Sequence, residues 1–202
     1  MEFSEVVRRR KMVRSFTDEA IPAEAIEAML SNAVRAPSAG FSQGWAFLVL
    51  DRPDDVASFW RVTTPPERAG DSSAWLRGMR TAPAIIVPMA SESIYRDRYE
   101  ERDKGATPRD QQQWAAPYWH IDTGMASLLI LQTAVDAGLG ACFFGMPKTQ
   151  HEAFRSAFGA PATFEPIGAI AVGHPALDDR LGLSARTRKR RPDAEVVHRG
   201  RW

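Results

Sequence analysis

The sequence predicts an α+β domain: a mixed sheet with helices on its faces, without the regular alternation of an α/β fold. Two observations predict it. Apolar residues recur at helical 3,4 spacing in one long stretch, Ile26, Met29, Leu30 and Ala33, and are densest in a second, Met125, Leu128, Leu129, Leu131 and Val135. Four short apolar runs (Trp45–Leu50, Ala84–Pro88, Ala141–Phe144 and Phe164–Gly173) have the length of strands. At 202 residues, one domain spanning 1–202 is the expectation.

In chain order, residues 2–11 read as a short helix with Phe3, Val6, Val7 and Arg10 on one face. Residues 23–35 form an amphipathic helix that must end at Pro37, because the residue before a proline is pushed out of helical geometry. Residues 37–44, Pro-Ser-Ala-Gly-Phe-Ser-Gln-Gly, are turn chemistry; their small side chains let backbone N–H groups approach a ligand, and equally suit an ordinary helix-to-strand turn. Helices near Asp54–Trp60 and Ser73–Arg80 flank a polar loop. Ala84–Pro88 is apolar on both faces and reads as a buried strand.

Residues 91–113 are nearly half charged and read as an excursion from the core, a mobile helix and loop ending in the aromatic knot Trp114, Tyr118 and Trp119. Ile121–Ala137 is the most apolar helix, expected to be central and buried on most sides, and Gly138 and Gly140 close it. Helix His151–Phe158 and a single strand Phe164–Gly173 follow; the last thirty residues hold too little apolar material for a core.

Charge is distributed unevenly. The net charge is +1, yet Arg8, Arg9, Arg10, Lys11 and Arg14 place +5 within seven residues. The tail from Arg186 to Arg201 carries seven cations against two acids, another +5, so the body between is acidic at −9. Dense cations point to an anion such as a phosphate, or to a solvated helix end. An acidic body without a binding motif argues against nucleic acid as the partner.

The single cysteine, Cys142, excludes an intramolecular disulfide and fits a reducing compartment. It follows an apolar helix and reads as a packed thiol rather than a nucleophile. The N-terminus has Glu2 and Glu5 and no apolar h-region, and no apolar run is long enough to span a bilayer, so a cytoplasmic protein is expected. His120, His151, His174 and His198 lie far apart, giving no metal-ligand spacing. No phosphate-cradling P-loop, dinucleotide fingerprint or serine elbow occurs, so an enzyme built on this chain would borrow its reactive group from a cofactor.

Four stretches in order carry a resemblance: Arg10-Lys11-Met12-Val13-Arg14-Ser15-Phe16; Ala36 to Trp45; Gly138-Leu139-Gly140-Ala141-Cys142-Phe143-Phe144-Gly145; and Lys189-Arg190-Arg191-Pro192. Together they resemble the FMN-dependent nitroreductase family over nearly the whole chain. The resemblance implies a three-layer fold with a mainly antiparallel sheet between helices. It also implies a homodimer binding FMN non-covalently at the subunit interface, with a C-terminal arm at about 175–202 reaching the partner subunit.

By that resemblance Arg10, Lys189 and Arg191 bind the FMN phosphate, Lys11 and Met12 lie beside it, and Arg14 faces the pyrimidine edge of the flavin. Pro37, Ser38 and Ala39 reach the flavin from the partner. Cys142, Phe143, Phe144 and Gly145 approach the flavin N5 side by their backbone, and Phe41, Trp114, Tyr118 and Trp119 shape the substrate pocket. The chain departs from the usual family pattern at Met12, Ala39 and Gly44. The implied activity is ping-pong hydride transfer from NAD(P)H through flavin N5 to an electron-poor acceptor such as a nitroaromatic or quinone. The alternative is a protein of the same fold that holds or sequesters flavin without turnover.

Overall fold

The computed structural model describes residues 1–68, 70, 73–177, 179 and 186–202, and within them the apolar runs become five strands. These are β1 (Trp45–Leu50), β2 (Ala84–Ala90), β3 (Gly140–Phe144), β4 (Glu165–Pro166) and β5 (Ala169–Gly173). The sheet order is β1-β2-β5-β3, with β4 paired to the far end of β2. All these ladders are antiparallel; the parallel element described is an isolated bridge between Met12 and Ala141.

Side-chain alternation along the strands sorts two apolar layers, as period-2 geometry requires. Ile85, Val87, Met89, Cys142 and Ala171 face one side, where they pack with α3 (Pro53–Thr63), α4 (Ala74–Met79) and α7 (His151–Phe158) through Val56, Phe59, Leu76, Met79 and Phe154. Ile86, Ala141, Ile170 and Val172 face the other, against α2 (Ala23–Ala33) and α6 (Tyr118–Asp136) through Met29, Ala33, Ala126, Ile130 and Ala134. Helix α1 (Phe3–Arg9) lies against α6, and α5 (Glu92–Tyr99) lies beyond the end of β2. The result is the expected three-layer α+β architecture.

Three expectations change. The single strand Phe164–Gly173 is two strands. Between the pairs Ile86↔Ile170 and Met89↔Pro166, β2 advances three residues while its partner advances four, which defines a bulge at Ile167–Gly168. It lies opposite Pro88, which has no N–H to give to a continuous ladder, while the Pro88 carbonyl accepts from Ile167 N at 3.1 Å.

Helix α6 is not buried on most sides. Its inner stripe is Trp119, Asp122, Thr123, Ala126, Ser127, Ile130, Leu131 and Ala134, while Ile121, Met125 and Leu128 remain exposed at 43, 36 and 45%. The hydroxyls of Thr123 and Ser127 return to the carbonyls four residues earlier, Trp119 and Thr123, so small polar residues fit the inner face without stranded groups. On α1 only Val6 is buried; Phe3 and Val7 are exposed.

The 91–113 excursion is tied down rather than detached. Tyr95 is fully buried, and Arg96–Glu92, Arg98–Asp103 and Arg109–Asp97 pairs cross-link the segment. The arm expected at 175–202 falls partly outside the described residues, at 178 and 180–185. Residues 186–202 are exposed; within them Arg191 bonds to Glu195 and the His198 ring stacks on Trp202.

Candidate functional site

After α1 the chain docks along β3 and then along the end of β5. Val13 N donates to Ala141 O at 3.1 Å beside the Met12–Ala141 bridge, and Thr17 N donates to His174 O at 2.9 Å. Buried Val13 and Phe16 pin this segment, and Gly140 is needed where it is: a Cβ there would lie 2.6 Å from a Val13 methyl. The cations of the segment are thereby carried to the free edge of the sheet. Because β3 ends the strand order, its outward backbone groups beyond the Met12 bridge are not used by the sheet ladder.

Each cation is held differently. The Arg10 guanidinium has no partner among the described residues. Lys11 Nζ donates to Asp179 Oδ2 at 2.7 Å, and Arg14 N donates to Asp179 Oδ1 at 2.7 Å. Arg14 is folded back on its own loop, its guanidinium donating to Met12 O at 2.8 Å. The Asp179 side chain is 2% exposed, so it clasps the loop from both ends. Sequence reading did not single out Asp179; an acid next to a basic tail gives no local signal.

On β3, Cys142 is buried, and burial pushes its thiol pKa up; Arg14 pulls it down and Asp179 raises it further. That is an inert packed thiol. Phe144 stacks on Trp60 at 5.5 Å and meets Phe59 and Trp75 edge-on, so its ring belongs to the aromatic layer and only its backbone is available at the strand end. Phe143 packs to the opposite layer, and Gly145 is exposed. A cavity of about 70 Å³ lies here, lined by Phe144, Gly145, Trp60 and Trp75.

Pro37, Ser38 and Ala39 lie elsewhere, in the loop leading into β1. β1 and β3 are opposite edges with β2 and β5 between them, a separation of about 14 Å at the usual inter-strand spacing. One chain therefore does not bring this loop to the Arg10–Arg14 segment. The loop is instead gripped by α5 and α6: Ala39 N donates to Asp122 Oδ2 at 2.7 Å, and Tyr95 OH donates to the same oxygen at 2.6 Å. Burial, then the bond to Asp122, raises the Tyr95 pKa far above the usual phenol value.

The aromatic knot forms as expected. Trp114 meets Tyr118 and Trp119, and Tyr95 and Tyr99 join it. Phe41 does not join it: its side chain is 74% exposed and makes no ring contact among the described residues. Its backbone, like that of Gly40 and Gln43, has positive φ (55, 64 and 54°). Lys189 and Arg191 make no described hydrogen bond or ion pair to the N-terminal cluster, and Arg191 is turned to Glu195. Tyr95 and Asp122 were missed by sequence reading; the available signals were a carboxylate in the first turns of an apolar helix and two tyrosines four apart in a charged run.

A second cavity of about 790 Å³ is lined by Asp18, Ile26, Val56, Trp60 and Arg80, among others, and by none of the candidate site residues expected from the sequence. Among the described residues, no group of His, Cys, Asp or Glu could hold a metal, and no helix is long and apolar enough to cross a membrane.

Comparison with known proteins gives a consistent picture. The sequence pattern of the nitroreductase family matches residues 7–174. A provisionally named NADH dehydrogenase/NAD(P)H nitroreductase of Methanothermobacter thermautotrophicus is 25% identical over 178 residues, 87% of this chain and 78% of that protein. The crystal structure of a nitroreductase of Lactococcus lactis with nicotinic acid superposes with a TM-score of 0.79 at 18% identity, over 99% of this chain and all of that one. A provisionally named nitroreductase of Desulfovibrio desulfuricans, crystallised with FMN, gives 0.71 at 24% identity over 100% and 98% of the two chains.

Proposed function

Since the chain belongs to the nitroreductase family, we propose that it is an FMN-dependent oxidoreductase that takes hydride from NAD(P)H and passes it to an electron-poor acceptor, such as a nitroaromatic or quinone. The observation that carries this reading is the seating of the Arg10–Arg14 segment on the free edge of β3 by the Met12–Ala141 bridge, with the Arg10 guanidinium unpartnered among the described residues. A phosphate requires such a donor set: a planar guanidinium free for two parallel hydrogen bonds, with further positive charge close by. The residues fit FMN on that count.

When bound, FMN supplies the hydride acceptor and donor atom, N5. The chain's own residues bind and orient it. Arg10 takes the phosphate, supported by Lys189 and Arg191 of the tail. Arg14 places positive charge at the pyrimidine edge, with Lys11 and Met12 lining the same segment. Of the stretch Cys142, Phe143, Phe144 and Gly145, the backbone groups that the β5 ladder leaves free would meet the ring edge near N5, while the Phe144 side chain stays anchored on Trp60. No side-chain acid or base is assigned a catalytic role.

The second half of the site comes from a second copy. Pro37, Ser38 and Ala39 are about three strand spacings from β3 within one chain. Exposed Phe3, Val7, Ile121, Met125 and Leu128, on the adjacent helices α1 and α6, offer an apolar face for that copy. Phe41, presented outward, together with Trp114, Tyr118 and Trp119, walls the substrate pocket and excludes water.

The test is direct. Purified protein should carry a flavin absorption spectrum or gain one on titration with FMN, and should turn over NADH or NADPH repeatedly with a nitrofuran or quinone. A protein that binds no FMN sinks the reading. FMN binding without multiple turnover would leave the flavin-holding alternative in its place.

A further inference from the structure

Helix α5, in the charged excursion, grips the loop before β1 at three points. Tyr95 OH gives its one proton to Asp122, so in its 3.2 Å contact with Ser38 Oγ the serine must be the donor. Ser38 Oγ also accepts Gln43 N–H at 2.8 Å. Its proton and one lone pair are thus committed, and one lone pair remains. Arg98 Nε donates to Gly40 O at 3.0 Å, and the same guanidinium is fixed by Glu101 at 2.8 Å and Asp103 at 2.6 Å. The Tyr99 ring closes the third point: a Cβ on Gly40 would come within 2.8 Å of it.

The gripped loop is strained. Phe41 and Gln43, neither of them glycine, occupy the left-handed region, and such conformations persist only where the surroundings impose them. Here the surroundings are Tyr95, Arg98 and the buried Asp122, itself only 2% exposed. The strain leaves the Phe41 ring facing solvent.

We propose that α5 is a brace for the Ser38–Gln43 loop, in which Tyr95 and Arg98 are positioning residues that make Ser38 a pure hydrogen-bond acceptor toward the bound flavin and hold Phe41 outward as a pocket wall. This rests on the FMN reading above. Flavin donors that such an acceptor serves are the N3–H group and the ribityl hydroxyls. The excursion thereby acts on the cofactor without touching it.

The test uses the intact protein and the variants Tyr95→Phe and Arg98→Ala. Tyr95→Phe keeps the ring in the aromatic knot and removes only the hydroxyl, which frees the Ser38 proton and leaves Asp122 one donor short. FMN dissociation constants from flavin fluorescence titration, taken well below each melting temperature, should rise about tenfold for Tyr95→Phe. Arg98→Ala should raise KM for the acceptor severalfold with a smaller change in kcat, because it loosens the Phe41 wall.

A purely structural role would lower the melting temperature of both variants and leave FMN affinity and acceptor KM at wild-type values; that result overturns the proposal while the FMN reading stands. Wild-type protein that binds no FMN removes both. If Tyr95→Phe does not fold, Arg98→Ala alone decides by the same KM readout.

Discussion

Gly78 of α4 couples the stability of the fold to the shape of the Arg10–Arg14 loop. A Cβ built there lies 2.2 Å from the Arg14 carbonyl oxygen, 3.2 Å from its carbon and 3.3 Å from Ser15 Cα. These are backbone atoms, and they cannot swing aside: Phe16 N is bonded to Thr81 Oγ1 at 3.0 Å, and Thr81 Oγ1 to Gly78 O at 2.7 Å. Two effects oppose each other in Gly78→Ala. Alanine favours the helix by about 1 kcal/mol, while overpacking costs roughly 1–3 kcal/mol, at the upper end when the obstacle is main chain.

Overpacking wins by about 2 kcal/mol, which lowers the melting temperature by roughly 4–8 °C for a chain of this size. The displaced Arg14 backbone also loses its 2.7 Å bond to Asp179, so FMN affinity falls with stability. Thermal unfolding by circular dichroism and FMN titration of the same samples measure both. A variant as stable as wild type, with unchanged FMN affinity, would refute the coupling.

Other expectations concern the cofactor, the thiol and the apolar face. Arg10→Ala should weaken FMN binding by roughly 1.5–3 kcal/mol, the range for a charge-assisted hydrogen bond, without lowering the melting temperature of the flavin-free protein; titration calorimetry measures it, and unchanged affinity would remove Arg10 from the phosphate site. Burial raises the Cys142 pKa above its ordinary value of 9.0. The folded state therefore holds this proton more tightly than the unfolded chain, and that stability is present below the ordinary thiol pKa and lost as pH rises through the raised one. Urea midpoints should fall between neutral and alkaline pH, and Cys142→Ala should flatten that slope; an identical slope would show that other groups set it. Leu128→Glu, on the outward stripe of α6, should give a monomer in sedimentation and lose FMN; an unchanged dimer would place the interface elsewhere.

Much of the fold was legible because it follows from local periodicity. The strand Trp45–Leu50 and the helix His151–Phe158 keep their expected bounds, while α2 stops at Ala33, two residues short of the expected 35 and before the proline is reached. What escaped depends on residues far apart in sequence. Pro88 splits the last strand only because Ile167 comes to lie beside it, and Asp122 matters only because Tyr95 and Ala39 reach its carboxylate from two other elements. Helix α6 misled for another reason. Its apolar content is high all round, so periodicity could not say which face the sheet would take, and the buried stripe mixes large apolar Ile130 and Leu131 with small or polar Thr123, Ala126 and Ser127.

The bulge at Ile167–Gly168 has a consequence for how the sheet is assembled. A strand that slips by one residue turns every side chain to the opposite layer. Pro88, lacking an amide hydrogen, and Gly168, where a Cβ would meet the Phe144 carbonyl at 2.7 Å, each fit one alignment of β2 against its neighbours. Together they act as a key that sets the height of β3 relative to β1 along the sheet. That height fixes where the Arg10–Arg14 segment stands relative to the loop carrying Ser38. Two copies joined through α1 and α6 would then meet with their half-sites already in step.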